Sequence, residues 1–342
     1  MKLLRQLLFP FAIIYGWITR IRNFCFDTGI LKSYSFDLPV IAVGNLSVGG
    51  TGKTPQIEYL IRLLQQDYRV ATLSRGYKRE SKGFVLADAD ANARILGDEP
   101  FQYYQKFKKI QVAVDANRKN GIEQLLLQKP KPQVILLDDA YQHRKVKAGF
   151  YVLLTSYGEL YSEDRMLPTG NLREYASGAK RAHVVVVTKC PVGLSEQEQN
   201  SIRDKLKLTK EQALFFSTIA YQDSLCSEKT TLMVQDIIQE DKVLVAGIAK
   251  PEPFFAHLQT ANSVQIRYPD HHHFTTKDIL EIKKQSQNKI LITTEKDFMR
   301  LKDSVLKEQL YYLPISSAFL NNEEAFRAKI KNYVATNVTK PA

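Results

Sequence analysis

The chain has 342 residues, enough for two domains or one large one, and its 44% hydrophobic content with 16 Gly and 13 Pro excludes collagen-like and low-complexity classes. Its 48 Lys+Arg against 36 Asp+Glu give a net charge of +12, which favours anionic partners: nucleic acid, phosphorylated small molecules or acidic lipid. Cys25, Cys190 and Cys226 are widely spaced with no C-x-x-C pair, which argues against a disulfide framework or a zinc ribbon and fits a reducing compartment.

The chain opens with an uncharged run, residues 6–19, flanked by Lys2, Arg5, Arg20 and Arg22. The run is shorter than the ~20 residues that span a bilayer, and Pro10 is expected to kink a helix there. No small-residue cleavage site follows, so a signal peptide is disfavoured. A buried helix and a helix lying in the membrane interface both fit, and Tyr15 and Trp17 favour the second.

An apolar run at 38–43 predicts a buried strand, then a Gly-rich turn, then a helix from Lys53 through Ile57, Leu60, Ile61 and Leu64. Further strands are expected at 69–73, 112–114, 133–137, 150–155 and 183–188, with helices at 100–107 and 117–128 and a loop at 80–98. This alternation predicts an α/β fold: a P-loop NTPase-like parallel sheet flanked by helices. After about residue 220 the pattern restarts, with strands at 242–246, 289–293 and 311–314 and a helix holding Phe254, Phe255 and Leu258. Residues 222–231 are polar and read as a linker. The expected organisation is a membrane-associated segment at 1–30, a core domain at 31–220 and a smaller α/β domain at 221–342.

The most specific signal is the block at 44–55, GNLSVGGTGKTP, placed between a strand and a helix. There the backbone N–H groups of Ser47, Val48, Gly49, Gly50, Thr51, Gly52, Lys53 and Thr54 can curl around phosphate oxygens. Lys53 would reach the β- and γ-phosphates and Thr54 would hold magnesium. Ser47 stands where the usual P-loop pattern has its first glycine. Asp138 and Asp139 follow an apolar strand, the arrangement that brings a carboxylate to magnesium, though adjacent strand-end aspartates also cap turns. The strand at 183–188 leads into Thr188-Lys189-Cys190-Pro191, which lacks the acid that reads guanine and so favours ATP.

Eight ordered blocks resemble the tetraacyldisaccharide 4'-kinase family: GNLSVGGTGKTP (44–55), SRGY (74–77), GDEP (97–100), DDAYQH (138–143), LPTGNLRE (167–174), AGIAKPEPFF (246–255), DHH (270–272) and TEKD (294–297). The resemblance implies a magnesium-dependent phosphotransferase with an alcohol acceptor. It would move the γ-phosphate of ATP to the 4'-hydroxyl of a tetraacylated glucosamine disaccharide 1-phosphate. The product would be lipid IVA, in lipid A biosynthesis at the cytoplasmic face of the inner membrane. It also implies that Asp98 is the catalytic acid/base and that His271 partners it. From the local pattern alone Asp98 is as readily a helix N-cap, and a zinc cluster at 271–273 is disfavoured because side chains alternate along a strand. Glu99 is a further candidate toward magnesium. Arg173 and Arg75 are candidate clamps on phosphate, since guanidinium is planar and always charged. Gln142 and His143 could complete the metal shell or touch the sugar, and Glu295, Lys296 and Asp297 are expected near the nucleotide. Two other readings are a membrane-associated P-loop ATPase acting as a switch or partitioning factor, and a basic nucleic-acid-binding protein. The second lacks any helix-turn-helix or RNP-like cue.

Overall fold

A computed structural model describes residues 5–270, 272–287 and 289–338. The first helix, α1 (Phe9–Asp27), has its proline within the first turn, so Pro10 starts the helix instead of kinking it. Only Ala12 and Gly16 of α1 are buried, while Phe11, Ile14, Trp17, Ile18, Ile21 and Phe24 are each more than half exposed. That exposure overturns the buried-helix reading. No helix among the described residues is long and apolar enough to cross a membrane. Gly16 is where α1 meets the body of the protein: a Cβ there would lie 2.4 Å from Tyr175 Oη.

The remaining elements in chain order are β1 (Val40–Asn45), α2 (Lys53–Leu64), β2 (Val70–Ser74), β3 (Val85–Leu86), α3 (Asp98–Lys106), β4 (Gln111–Val114), β5 (Val134–Asp138), β6 (Phe150–Ser156), β7 (Val184–Thr188), β8 (Ala213–Tyr221), β9 (Ser224–Cys226), β10 (Thr231–Met233), β11 (Lys242–Ala246), β12 (Ser263–Arg267), β13 (Ile290–Thr294), α4 (Glu295–Leu301), β14 (Leu310–Leu313), β15 (Ile315–Phe319) and α5 (Glu323–Asn337), with further helices between them, among them Arg118–Leu126, Glu196–Leu206 and Thr276–Ser286. Nine strands form one sheet in the order β15-β8-β7-β6-β1-β5-β2-β4-β3, parallel except for its two edge strands. Strands β1, β2, β5 and β7 are buried along their whole length, as their unbroken apolar runs require when helices cover both faces. Helix α2 buries Ile57, Leu60, Ile61 and Leu64 completely against this sheet, each contributing roughly 1.5–3 kcal/mol.

The second sheet has the order β10-β9-β14-β13-β11-β12, with four parallel strands and an antiparallel pair at one edge. The fold is thus α/β with a large parallel core and a smaller second sheet. Two expectations need correction. Residues 222–231 are not a linker, because β9 and part of β10 lie within them and pair with each other. The stretch 315–338 does not stay with the smaller sheet. Strand β15 pairs with β8, and Phe326, Ile330 and Val334 of α5 join the large core. The short β3 and a helix at Ala93–Leu96 also interrupt the expected loop at 80–98.

Candidate active site

Strand β1 leads on to β2 on one side of the sheet and its neighbour β6 leads on to β7 on the other, so the chain direction reverses between them. Ligands bind outside the carboxyl ends of strands at such a switch point. The block at 44–55 starts at that end of β1 and folds into a loop closed by Gly52, whose φ of +79° as the N-cap of α2 lies in the left-handed region that favours glycine. Val48, Gly49 and Gly50 are exposed, and Thr51 is buried. The loop is backed by the LPTGNLRE segment, with Val48 N donating to Asn171 O at 2.8 Å and Arg173 N to Leu46 O at 2.8 Å, and by Asp164 just before it, whose Oδ2 accepts from Ser47 Oγ at 3.3 Å.

Lys53 and Arg173 converge on the acids at the end of β5. Lys53 Nζ lies 3.8 Å from Asp139 Oδ1 and donates to Asn45 Oδ1 at 3.4 Å. Arg173 grips Asp139 with both terminal nitrogens, at 2.9 and 3.3 Å, and also donates to the Asn45 side chain. Asp138 is buried, and its Oδ2 accepts from Tyr103 Oη at 3.2 Å and Ser74 Oγ at 3.4 Å. Thr54 acts on the acidity of the same Tyr103 hydroxyl, which places it and Asp138 around one group.

The two aspartates are driven apart in acidity. Burial, and then the charge of Asp139, push Asp138 up to about 6. Burial would raise Asp139 as well, but Lys53 and Arg173 outweigh it and hold the carboxyl at about 2. Several buried polar atoms around the loop have no hydrogen-bond partner: Asn45 Nδ2, Thr51 Oγ1, Asp138 Oδ1, Gln142 Oε1 and Arg173 Nε. Buried polar groups are normally satisfied, so these five leave bonding capacity beside the loop for water or a polar ligand.

A family description, tetraacyldisaccharide-1-P 4'-kinase (LpxK), matches residues 4–335. The chain belongs to this family. Relatives bearing the name tetraacyldisaccharide 4'-kinase include one from Flavobacterium johnsoniae, 64% identical with 99% of each chain covered. Another, from Bacteroides thetaiotaomicron, is 44% identical with 96% of this chain and 93% of the relative covered. Among solved structures, LpxK from Aquifex aeolicus, described as an "apo" form in complex with ATP, superposes with a TM-score of 0.78 at 29% identity, covering 98% of this chain and all of that one. The protein is therefore a kinase, a phosphotransferase with an alcohol acceptor.

Other candidates of this kinase fall less simply. Asp98 is the first residue of α3, but Gly97 occupies the cap position and no side-chain cap bond forms. The Asp98 carboxylate instead meets Arg300, which donates from Nε at 3.2 Å. Glu99 pairs with Lys296 at 3.5 Å, and its charge still reaches Asp138. His271 lies outside the described residues. His272 is committed to Asp278 at 3.0 Å and stacks on Tyr268. His143 is held down to about 4 by burial and by Arg118 and Arg75. Gln142 donates to Asn45 O and Glu174 Oε1, bracing the loop from behind. Among the residues expected near the nucleotide, Asp297 is buried, with Oδ2 accepting from Gly247 N at 2.8 Å. Glu295 is buried against Lys106 at 2.8 Å.

Asn45, Tyr103, Lys106 and Arg300 were not singled out from sequence. Asn45 sits inside the P-loop block, and Arg300 lies three residues after Asp297 on one helix face, paired to it at 3.3 Å. Those positions were available signals. Tyr103 and Lys106 carry none, because their roles depend on which helix packs beside α3.

Proposed function

We propose that this kinase transfers the γ-phosphate of ATP to the 4'-hydroxyl of a tetraacylated glucosamine disaccharide 1-phosphate, giving lipid IVA. The observation that carries the reading is the convergence of Lys53, Arg173, Asp138 and Asp139 on one glycine-rich loop at the end of β1. The ATP-bound relative supports the nucleotide, and the family supports the acceptor.

Backbone N–H groups of residues 47–54 wrap the phosphates, with Lys53 on the β- and γ-phosphates. The donor set fits magnesium: a threonine hydroxyl, the unpartnered Asp138 Oδ1 and the ionised Asp139 are hard oxygens. No group of three or more His, Cys, Asp or Glu among the described residues forms a metal cage. That suits an ion held by one or two carboxylates and the substrate's own phosphates. Thr54, Asp138 and Asp139 would hold it, with Glu99 next nearest. When bound, magnesium neutralises charge on the transferring phosphate. Asp98 accepts the proton of the acceptor hydroxyl as its oxygen bonds to phosphorus and the bond to the departing ADP breaks. His271 is proposed as its partner. Arg173 leaves Asp139 in part to stabilise charge on the phosphoryl oxygens.

The exposed apolar face of α1 supports seating on a lipid surface, with the exposed Arg20 near anionic headgroups. A nucleotide site and a membrane helix on one body suit the cytoplasmic face of the inner membrane. The test supplies labelled ATP, magnesium and the disaccharide 1-phosphate in detergent. Labelled 4'-phosphorylated lipid is expected from the wild type. Asp98→Ala should cut turnover about 10²–10⁴-fold with nucleotide binding retained. Unchanged turnover would remove Asp98 from the role.

A further inference from the structure

Glu295, Lys296 and Asp297 of the TEKD block are bonded within the protein, to Lys106, Glu99 and Gly247. Helix α4, which the block begins, is joined by ion pairs to both ends of α3. Asp98 and Glu99 at the start of α3 meet Arg300 and Lys296, and Lys106 at its end meets Glu295. Phe101 of α3 and Phe298, Met299 and Leu301 of α4 share one buried cluster between them. The helix that presents the proton acceptor is therefore fastened along its length to the smaller sheet.

Lys106 carries a second contact. Its Nζ lies 2.7 Å from Glu58 Oε2 and 2.8 and 3.0 Å from the two oxygens of Glu295. Glu58 is buried in α2, the helix that begins at Lys53. Its Oε1 accepts from Gln102 of α3 at 2.9 Å, and its Oε2 also meets Arg62 at 2.8 Å. One ammonium thus ties three helices whose other ends bear the phosphate-gripping lysine, the proton acceptor and the arginine that holds that acceptor. Burying two carboxylates with one ammonium and the part-exposed Arg62 guanidinium is costly, and the arrangement persists because each carboxylate oxygen is bonded. Burial, and then the charge of Glu58, push the Glu295 carboxyl up from the ordinary carboxylate range.

We infer that Lys106 is a positioning residue for phosphoryl transfer. By holding Glu58 of α2 and Glu295 of α4 together, it fixes the separation between the helix that starts at Lys53 and the helix that starts at Asp98. Misplacing reacting groups by about 1 Å can cost ~10²-fold in rate, so loss of the clasp acts on turnover more than on binding. The role rests on Asp98 being the proton acceptor.

The test measures kcat and both KM values for full-length protein in the lipid assay. Lys106→Met should lower kcat about 10- to 100-fold with both KM values within about two-fold, and Lys106→Arg should recover most of it. Lys106→Met leaves the buried Glu295 carboxylate without its cation and can fail to fold. The double variant Lys106→Met/Glu295→Gln avoids this, since Glu58 keeps Arg62 and Gln102, and it should fold with the same low kcat. In an Asp98→Asn background, Lys106→Met should cost almost nothing further, because its effect passes through Asp98. A folded double variant with wild-type kcat would overturn the inference, as would full additivity of Lys106→Met with Asp98→Asn. A rise in ATP KM at unchanged kcat would return α4 to the nucleotide and overturn it too. Wild-type turnover in Asp98→Asn would instead reject the assignment of the acceptor, whatever Lys106 does.

Discussion

The carboxyl edges of the two parallel sheets have the same architecture and opposite chemistry. At the large sheet, the ends of β1 and β5 are surrounded by buried polar atoms without partners, including Asn45 Nδ2, Thr51 Oγ1 and Asp138 Oδ1. At the smaller sheet, the corresponding groups are bonded. Asp297 accepts from Gly247 N and from Thr294 Oγ1, both at 2.8 Å, and Thr293 Oγ1 donates to Val245 O at 2.8 Å. Among the described residues, no orphaned buried side-chain atom lies beyond Arg181. The difference separates an edge with polar groups still to be satisfied from an edge whose polar groups already bond the helix that follows. Orphaned groups are a cost in the free protein that a ligand offsets, while saturated ones stabilise the fold outright.

The contrast predicts where substitutions register. Arg173→Met should lower turnover about 10²–10³-fold with little change in melting temperature, and Arg173→Lys should not restore it, because one ammonium cannot reproduce the two-nitrogen grip. Steady-state kinetics beside a thermal melt checks both halves, and a large drop in melting temperature would break the contrast. Asp297→Ala should do the reverse, costing stability by about 3 kcal/mol in denaturant unfolding while leaving affinity for an ATP analogue unchanged. Weakened nucleotide binding without destabilisation would put the smaller edge among the ligand contacts.

Asp138 sharpens the comparison further. Its folded value of about 6 lies above the ordinary 3.8, so the folded protein prefers the protonated carboxyl. The stability this gives is fully present below about pH 4 and is lost as pH rises through 6. Asp138→Asn imitates the protonated form. In chelator-treated protein it should melt like the wild type near pH 4 and higher above pH 6, by about 2 kcal/mol in stability. Unfolding curves at both pH values decide this, and equal stability at pH 8 would mean the carboxylate is not strained there.

The uneven legibility of these regions in the sequence follows from the same physics. The P-loop was legible because its chemistry is local: a buried strand, glycines and Gly-Lys-Thr fall within a dozen consecutive residues. The strands ending at Asn45, Asp138 and Thr188 were legible because burial on both faces leaves unbroken apolar runs. Strands β9 and β10 escaped because they are three residues each and partly exposed, with no alternation to detect. The role of the TEKD block escaped because Glu295 acquires meaning only from Lys106, 189 residues earlier in the chain. The face of α1 was legible as apolar, but which way it points depended on Tyr175 filling the space beside Gly16.

Strand β15 has a consequence for how the chain is made. It completes the edge of the large sheet beside β8, yet it emerges only after residues 222–314 have been synthesised. Until then Phe215 waits for Phe319 and Phe326, which pack edge-on against its ring. Helix α5 arrives later still, and its Tyr333 hydroxyl bonds both the N–H and the carbonyl of Val40, at the opposite end of the polypeptide. A nascent chain halted before Ile315 would hold every phosphate-binding residue and still expose an open strand edge, the kind of surface on which incomplete proteins aggregate.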